Sequence, residues 1–151
     1  MKIFAANAFL LFWCSIAPAQ DPATANAGAS RFTVVDVMVD SGAESLAAYQ
    51  VELSATNGAV KIVGIEGGEH TAFIKPPYYD PTAMQQERVV LGTFSTVTAD
   101  QLPRGVVRVA SVHCMVAGDA KPTFTAKVAA AATSGGRSIS VQINVKERNG
   151  R

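Results

Sequence analysis

The stretch that decides the fold is SISVQINVKE at residues 138–147, in which apolar and polar residues alternate strictly. Ile139, Val141, Ile143 and Val145 fall on one side of an extended chain, because successive side chains of a strand point to opposite faces. A period of two predicts a half-buried β-strand.

The same period recurs along most of the chain. The shared apolar face of the runs FTVVDVMVD and AAYQVELSA carries Val35, Val37, Val39, Tyr49, Val51 and Leu53. Further strands are predicted at AVKIVGIEG, RVVLGTFS, GVVRVASVHCMVAG and TFTAKVAAAAT, although the alanines of the last run would also suit a helix. Turn signals such as TNG, EGGEH and TSGGR separate the runs, and no β-α-β alternation is visible. This pattern predicts one all-β domain built as an antiparallel sandwich.

The amino terminus is typical of an exported protein. Lys2 precedes an apolar run that ends in APA, which predicts a signal peptide at 1–19, cleaved after Ala19. Bulky Phe12 and Trp13 argue against lipid attachment at Cys14. We expect a flexible lead at 20–30, the sandwich at 31–147 and a tail at 148–151, in an extracellular or periplasmic location.

Charge and cysteine content exclude several functional classes. Without Lys2 the 13 basic residues become twelve, against 12 acidic residues, which gives no reason to expect a nucleic acid or an anionic membrane as partner. No later segment is apolar enough to span a bilayer. Cys114, the one cysteine left after cleavage, lies in an apolar run and is interpreted as a buried small residue rather than a reactive thiol.

Two segments resemble cohesin-type modules: VDVMVDSGAESLAAYQVELSATNGAVKIVGIEGG at 35–68 and LPRGVVRVASVHCMVAGD at 102–119, with SISVQINV as the final strand. The resemblance covers about residues 31–147. It implies a jelly-roll sandwich of about nine strands that acts as a non-catalytic receptor. The implied partner is another secreted or surface protein, and the partner typical of cohesins is a calcium-loaded dockerin. The segment PPYYDPTAM is unlike the dockerin-binding cohesins.

No catalytic or metal-binding constellation can be assembled from the sequence, so we expect a protein that is not an enzyme and holds no cofactor or metal. Two histidines are too few for a zinc site, and no nucleophile elbow or phosphate-binding glycine loop is present. His113 is interpreted as a packed, hydrogen-bonded residue. Glu66, Glu69 and His70 lie together beside two glycines, where a metal-binding or acid-base role competes with the favoured interpretation as a solvated loop.

The segment FIKPPYYDPTAM at 73–84 is the candidate binding loop, with Phe73, Tyr78, Tyr79 and Asp80 as its candidate contacts. Pro76 and Pro77 stiffen an extended chain, so the loop could be a lid packed over one edge of the sandwich. Exposed tyrosines could instead bind a protein or stack on a polysaccharide, which makes a carbohydrate-binding module the alternative function. One or two helical turns are predicted within residues 80–87, with Asp80 or Thr82 as the cap.

Overall fold

The protein folds as seven antiparallel β-strands, seen in a computed structural model that describes residues 29–149. The strands are β1 (Arg31–Asp40), β2 (Ala48–Thr56), β3 (Ala59–Gly67), β4 (Arg88–Phe94), β5 (Val106–Ala117), β6 (Thr123–Ala132) and β7 (Gln142–Asn149). The predicted signal peptide, lead residues 20–28 and the last two residues of the predicted tail lie outside the described residues. No α-helix occurs between residues 29 and 149, so the all-β prediction is confirmed, including the strand at TFTAKVAAAAT.

The strands form two sheets, one with the order β3-β5-β1-β7 and the other with the order β4-β2-β6. The sheets pack face to face, and the Tyr49 hydroxyl of β2 donates across the core to the Val109 carbonyl of β5 at 2.9 Å. The described residues therefore form a β-sandwich. The nine strands and the jelly-roll topology of the cohesin resemblance remain predictions.

The core between the sheets consists mainly of valine, whose β-branched side chain suits a pleated surface. Its members on β1, β2 and β5 are at most 4% exposed and include Val35, Val37, Val39, Tyr49, Val51, Leu53, Val107, Val109, Val112, Cys114 and Val116. The inward faces predicted for β1 and β2 are confirmed.

The stretch at 138–147 is divided between the two sheets. Ser138 bridges Ala132 at the end of β6, and the N–H of Ile139 donates to the Ala131 carbonyl at 2.9 Å. The chain then crosses to the other sheet, and the strand paired with β1 begins at Gln142 and continues to Asn149. Strand β7 thus starts four residues later and ends two residues later than the sequence pattern suggests.

A long crossover at residues 68–87 joins β3 to β4 and covers the edges of both strands. The backbone of Tyr78 exchanges two hydrogen bonds with Gly92 of β4, at 2.8 and 2.9 Å. Ile62 of β3 likewise accepts from the N–H of Gln85 and donates to the carbonyl of Gln86. The crossover contains two short 3-10 helices, Thr71–Phe73 and Pro81–Ala83. Asp80 caps the second of them, so the predicted turn and its cap are confirmed.

Candidate functional site

The crossover separates the four predicted contact residues into buried and exposed ones. Phe73 is 2% exposed and packs edge-to-face on Tyr49, with 5.3 Å between the ring centroids. Tyr79 is half-buried against the core, whereas Tyr78 is 73% exposed. Asp80 is exposed, and the Thr82 N–H that donates to its carboxylate at 2.9 Å lowers the pKa of Asp80. The Phe73 ring therefore has no open face for a ligand, and Tyr78 is the exposed aromatic of the loop.

The bridge between Tyr78 and Gly92 explains why adjacent tyrosines have opposite environments. Through this bridge, a single residue of the crossover pairs with β4 and extends the β4-β2-β6 sheet at its edge. Residues opposite each other in an antiparallel pair share a face of the sheet, and successive residues alternate between faces. Tyr78 therefore projects from the outer face with Gly92, and Tyr79 turns toward the core.

The outer face of this sheet holds a shallow groove of about 400 Å³. Its floor comprises two rows that run across the three strands, Phe94-Ala48-Ala132 and Gly92-Gln50-Ala130. Most floor residues are small, so the exposed rings of Tyr78 and Phe94 rise above them, and Phe94 is 63% exposed. Gln50 supplies an amide at the centre of the floor. The result is an apolar depression flanked by aromatic side chains.

Phe94 belongs to this site, although sequence reasoning did not single it out. The signal was present in the alternation of RVVLGTF, where the buried residues Val89 and Leu91 set the inward face of β4. The same alternation assigns Gly92 and Phe94 to the outer face.

Charged residues continue the outer face beyond the groove. Arg88 donates to Glu52 at 2.6 Å, and this hydrogen bond lowers the pKa of Glu52. Lys127 lies opposite Glu52 on β6. The sheet therefore has an uncharged aromatic end and a charged, polar end.

The acidic and histidine residues near Gly67 have separate structural contacts. His70 Nδ1 accepts from the N–H of Ala72 at 3.1 Å, and Glu69 accepts from the N–H of Arg108 at 3.2 Å. Glu66 Oε1 lies 3.2 Å from His113 Nε2, although not in the alignment of a hydrogen bond. Within residues 29–149 no group of three or more histidine, cysteine or acidic residues could hold a metal ion.

A buried carboxylate, Asp36, anchors the outer face of the four-stranded sheet. It accepts from Ser111 Oγ at 2.7 Å and from Arg148 Nη2 at 2.9 Å, and ion-pair distances of 2.7 Å to Arg148 Nε and 3.5 Å to Arg108 Nη1 add to these bonds. Burial acts to raise the pKa of Asp36, but these hydrogen bonds and the two arginine charges outweigh it and hold the pKa below its usual value. Arg148 thus belongs to the folded domain.

Replacing Asp36 by asparagine is expected to lower the free energy of unfolding by about 2 kcal/mol at pH 7, because it removes the charged acceptor of two arginines. The carboxylate makes its full contribution to the stability of the folded protein above the pKa of an unfolded aspartate, about 3.9. Its contribution is lost as the pH falls from there through the lower folded pKa. Urea unfolding of the wild type and Asp36→Asn at pH 7, 4 and 3 measures the difference in the free energy of unfolding. Asp119→Asn, in an exposed loop, is the control. A difference that stays constant down to pH 3 would contradict the assignment.

Cys114 has the environment expected of a buried small residue. It is 1% exposed, and burial raises the pKa of its thiol to about 12. Because the thiolate is the reactive form, the thiol is unreactive at neutral pH.

No protein-family model, no curated protein and no solved structure matches this chain. In the part of the chain that the structure describes, no helix has the length and apolar character needed to cross a membrane. The function is therefore inferred from the geometry of the groove.

Proposed function

We propose that this chain is an exported, non-catalytic binding module that recognises another secreted or surface protein through the outer face of the β4-β2-β6 sheet. The groove lined by Tyr78 and Phe94 is the observation that carries the proposal. Exposed aromatic rings on a rigid sheet offer a large contact area with little loss of side-chain freedom on binding.

The character of the groove favours an apolar side chain of a protein as the bound group. Apart from Gln50 and Phe94 its floor consists of alanine and glycine, and the nearest ion pair belongs to the next rows of the sheet. An apolar centre with charges at its margin is the usual arrangement of a protein-protein interface. The cohesin-type module, with its nine-stranded jelly roll and a dockerin-like partner, is the specific form of the proposal.

A carbohydrate-binding module is the second candidate, because Tyr78 and Phe94 line the same groove as the Gln50 amide. Two rings could stack on sugar units while Gln50 exchanges hydrogen bonds with a hydroxyl group. The few polar groups in the groove make this candidate the weaker one, since sugar recognition depends on several hydrogen bonds.

The double substitution Tyr78→Ala/Phe94→Ala is expected to weaken partner binding by about thirty-fold or more, roughly 2 kcal/mol, because both exposed rings are removed. The chain from Gln20 onward is immobilised and exposed to the exported proteins of its source, with soluble and insoluble polysaccharides tested in parallel. The affinity of each captured protein is then measured by calorimetry against the wild type and the variant.

Phe32→Ala is the matched control, since Phe32 is 60% exposed but lies on β1 of the opposite sheet. We expect it to bind as the wild type does. A partner retained equally by the double variant would refute the groove as the site. Retention on a polysaccharide that the double variant loses would establish the sugar-binding alternative.

A further inference from the structure

The two sides of the sandwich, where the edge strands lie, differ in how they are covered. On one side the crossover pairs with Ile62 of β3 and Gly92 of β4. On the other side β6 and β7 are the edge strands. Among residues 29–149, the backbone pairing at this side is confined to Ser138 and Ile139, beside the last two residues of β6. The edge of β6 from Thr123 to Ala130 therefore carries unpaired backbone donors and acceptors, because alternate residues of a strand point away from its single partner.

Burial of the inward side chains shows the same asymmetry. On the covered side, Ile62, Val89 and Leu91 are at most 1% exposed. On the uncovered side, the inward residues of both edge strands are only partly buried, namely Phe124, Ala126, Val128, Ile143 and Val145. The core is thus incompletely covered along β6 and β7, where a further strand would bury apolar surface.

The single charge on β6 itself is basic, although Glu52 lies opposite it on β2, and Asp119 and Glu147 lie near the start of the strand. Lys127 projects from the outer face of β6, and Lys121 lies two residues before the strand begins. Neither lies within 4.0 Å of a carboxylate oxygen among the described residues. An acidic strand would be attracted here, whereas a second copy of β6 would bring the same lysines and be repelled.

We propose that the edge of β6 accepts an extended segment of a partner protein, in which apolar residues alternate with acidic ones. The backbone of the segment pairs with β6 as a fourth strand of the β4-β2-β6 sheet. Its apolar side chains cover Phe124, Ala126 and Val128, and its carboxylates face Lys127 and Lys121. This surface meets the groove only at Ala130, whereas Tyr78 and Phe94 lie at the opposite edge of the sheet, so we treat the two as distinct sites.

The test uses two fluorescent ten-residue peptides, one alternating valine with glutamate and the other alternating valine with lysine. We expect the acidic peptide to bind at least tenfold more tightly. Saturation with it should slow hydrogen exchange of unpaired amides within residues 123–130 at least tenfold. Lys121→Gln/Lys127→Gln should weaken binding about fivefold through loss of two surface charge contacts. The matched control Lys61→Gln/Lys75→Gln removes two exposed lysines from the covered side and should have no effect.

Failure of the acidic peptide to bind saturably would overturn the proposal, as would equal affinity for both peptides. Protection of β6 that rises with protein concentration in the absence of peptide would also overturn it, because the edge would then serve a second copy. Tyr78→Ala/Phe94→Ala should change peptide affinity less than twofold, so failure of the groove and failure of the edge are distinguishable.

Discussion

Replacing Phe73 by alanine is expected to lower the free energy of unfolding by about 3–5 kcal/mol, the range for a buried phenylalanine. The ring is 2% exposed and packs on Tyr49 of β2, so its removal leaves a cavity between the crossover and the core. Urea unfolding at neutral pH measures the change. Because Phe73 also anchors the segment that holds Tyr78 in place, we expect partner binding to weaken in this variant even where it remains folded.

Ile74→Ala is the control for Phe73→Ala. Ile74 is the next residue of the same segment and is 60% exposed, so its truncation should cost less than about 1 kcal/mol. Equal losses for the two variants would mean that the crossover is not packed as described.

The second large effect is expected at Gly68, where the crossover leaves β3. A β-carbon at this position would lie 2.1 Å from the Arg108 carbonyl oxygen and 2.9 Å from the Val109 α-carbon. Both are backbone atoms of β5, so Gly68→Ala must displace a strand, and we expect a loss of about 3 kcal/mol or more. The Gly68 N–H also donates to the Phe73 carbonyl at 2.7 Å, which ties this close approach to the packing of the crossover.

Gly64→Ala provides the matched comparison. A β-carbon there would meet only the His113 side chain at 3.5 Å, an ordinary contact, so the variant should remain within about 1 kcal/mol of the wild type. Thermal unfolding of both variants distinguishes them. A Gly68→Ala protein as stable as Gly64→Ala would contradict the close approach.

The sequence was informative where burial depends on local alternation. Val35, Val37 and Val39 are inward because the period of two continues through β1, and the same holds for β2. The alternation at residues 138–147 also revealed an extended chain. It could not show that Ser138 pairs with β6 while Gln142 begins a strand beside β1, because those partners are distant in sequence.

The site was harder to predict because single residues in loops carry no period. Phe73 and Tyr78 are both aromatic residues of one loop, yet only the contact with Tyr49 and the bridge to Gly92 decide which of them is buried. Phe94 was recognisable from the alternation of β4, but its proximity to Tyr78 depends on the same bridge. Long-range backbone pairing therefore forms the groove.

The most direct test of the central claim is photo-crosslinking from within the groove. A photoreactive benzoylphenylalanine replaces Phe94 in one protein and Phe32 in another, and each is irradiated with the captured partner. We expect a covalent adduct from position 94 and none from position 32, because the partner lies on the outer face of the β4-β2-β6 sheet. An adduct from position 32 alone would place the partner on the opposite sheet and contradict the proposed site.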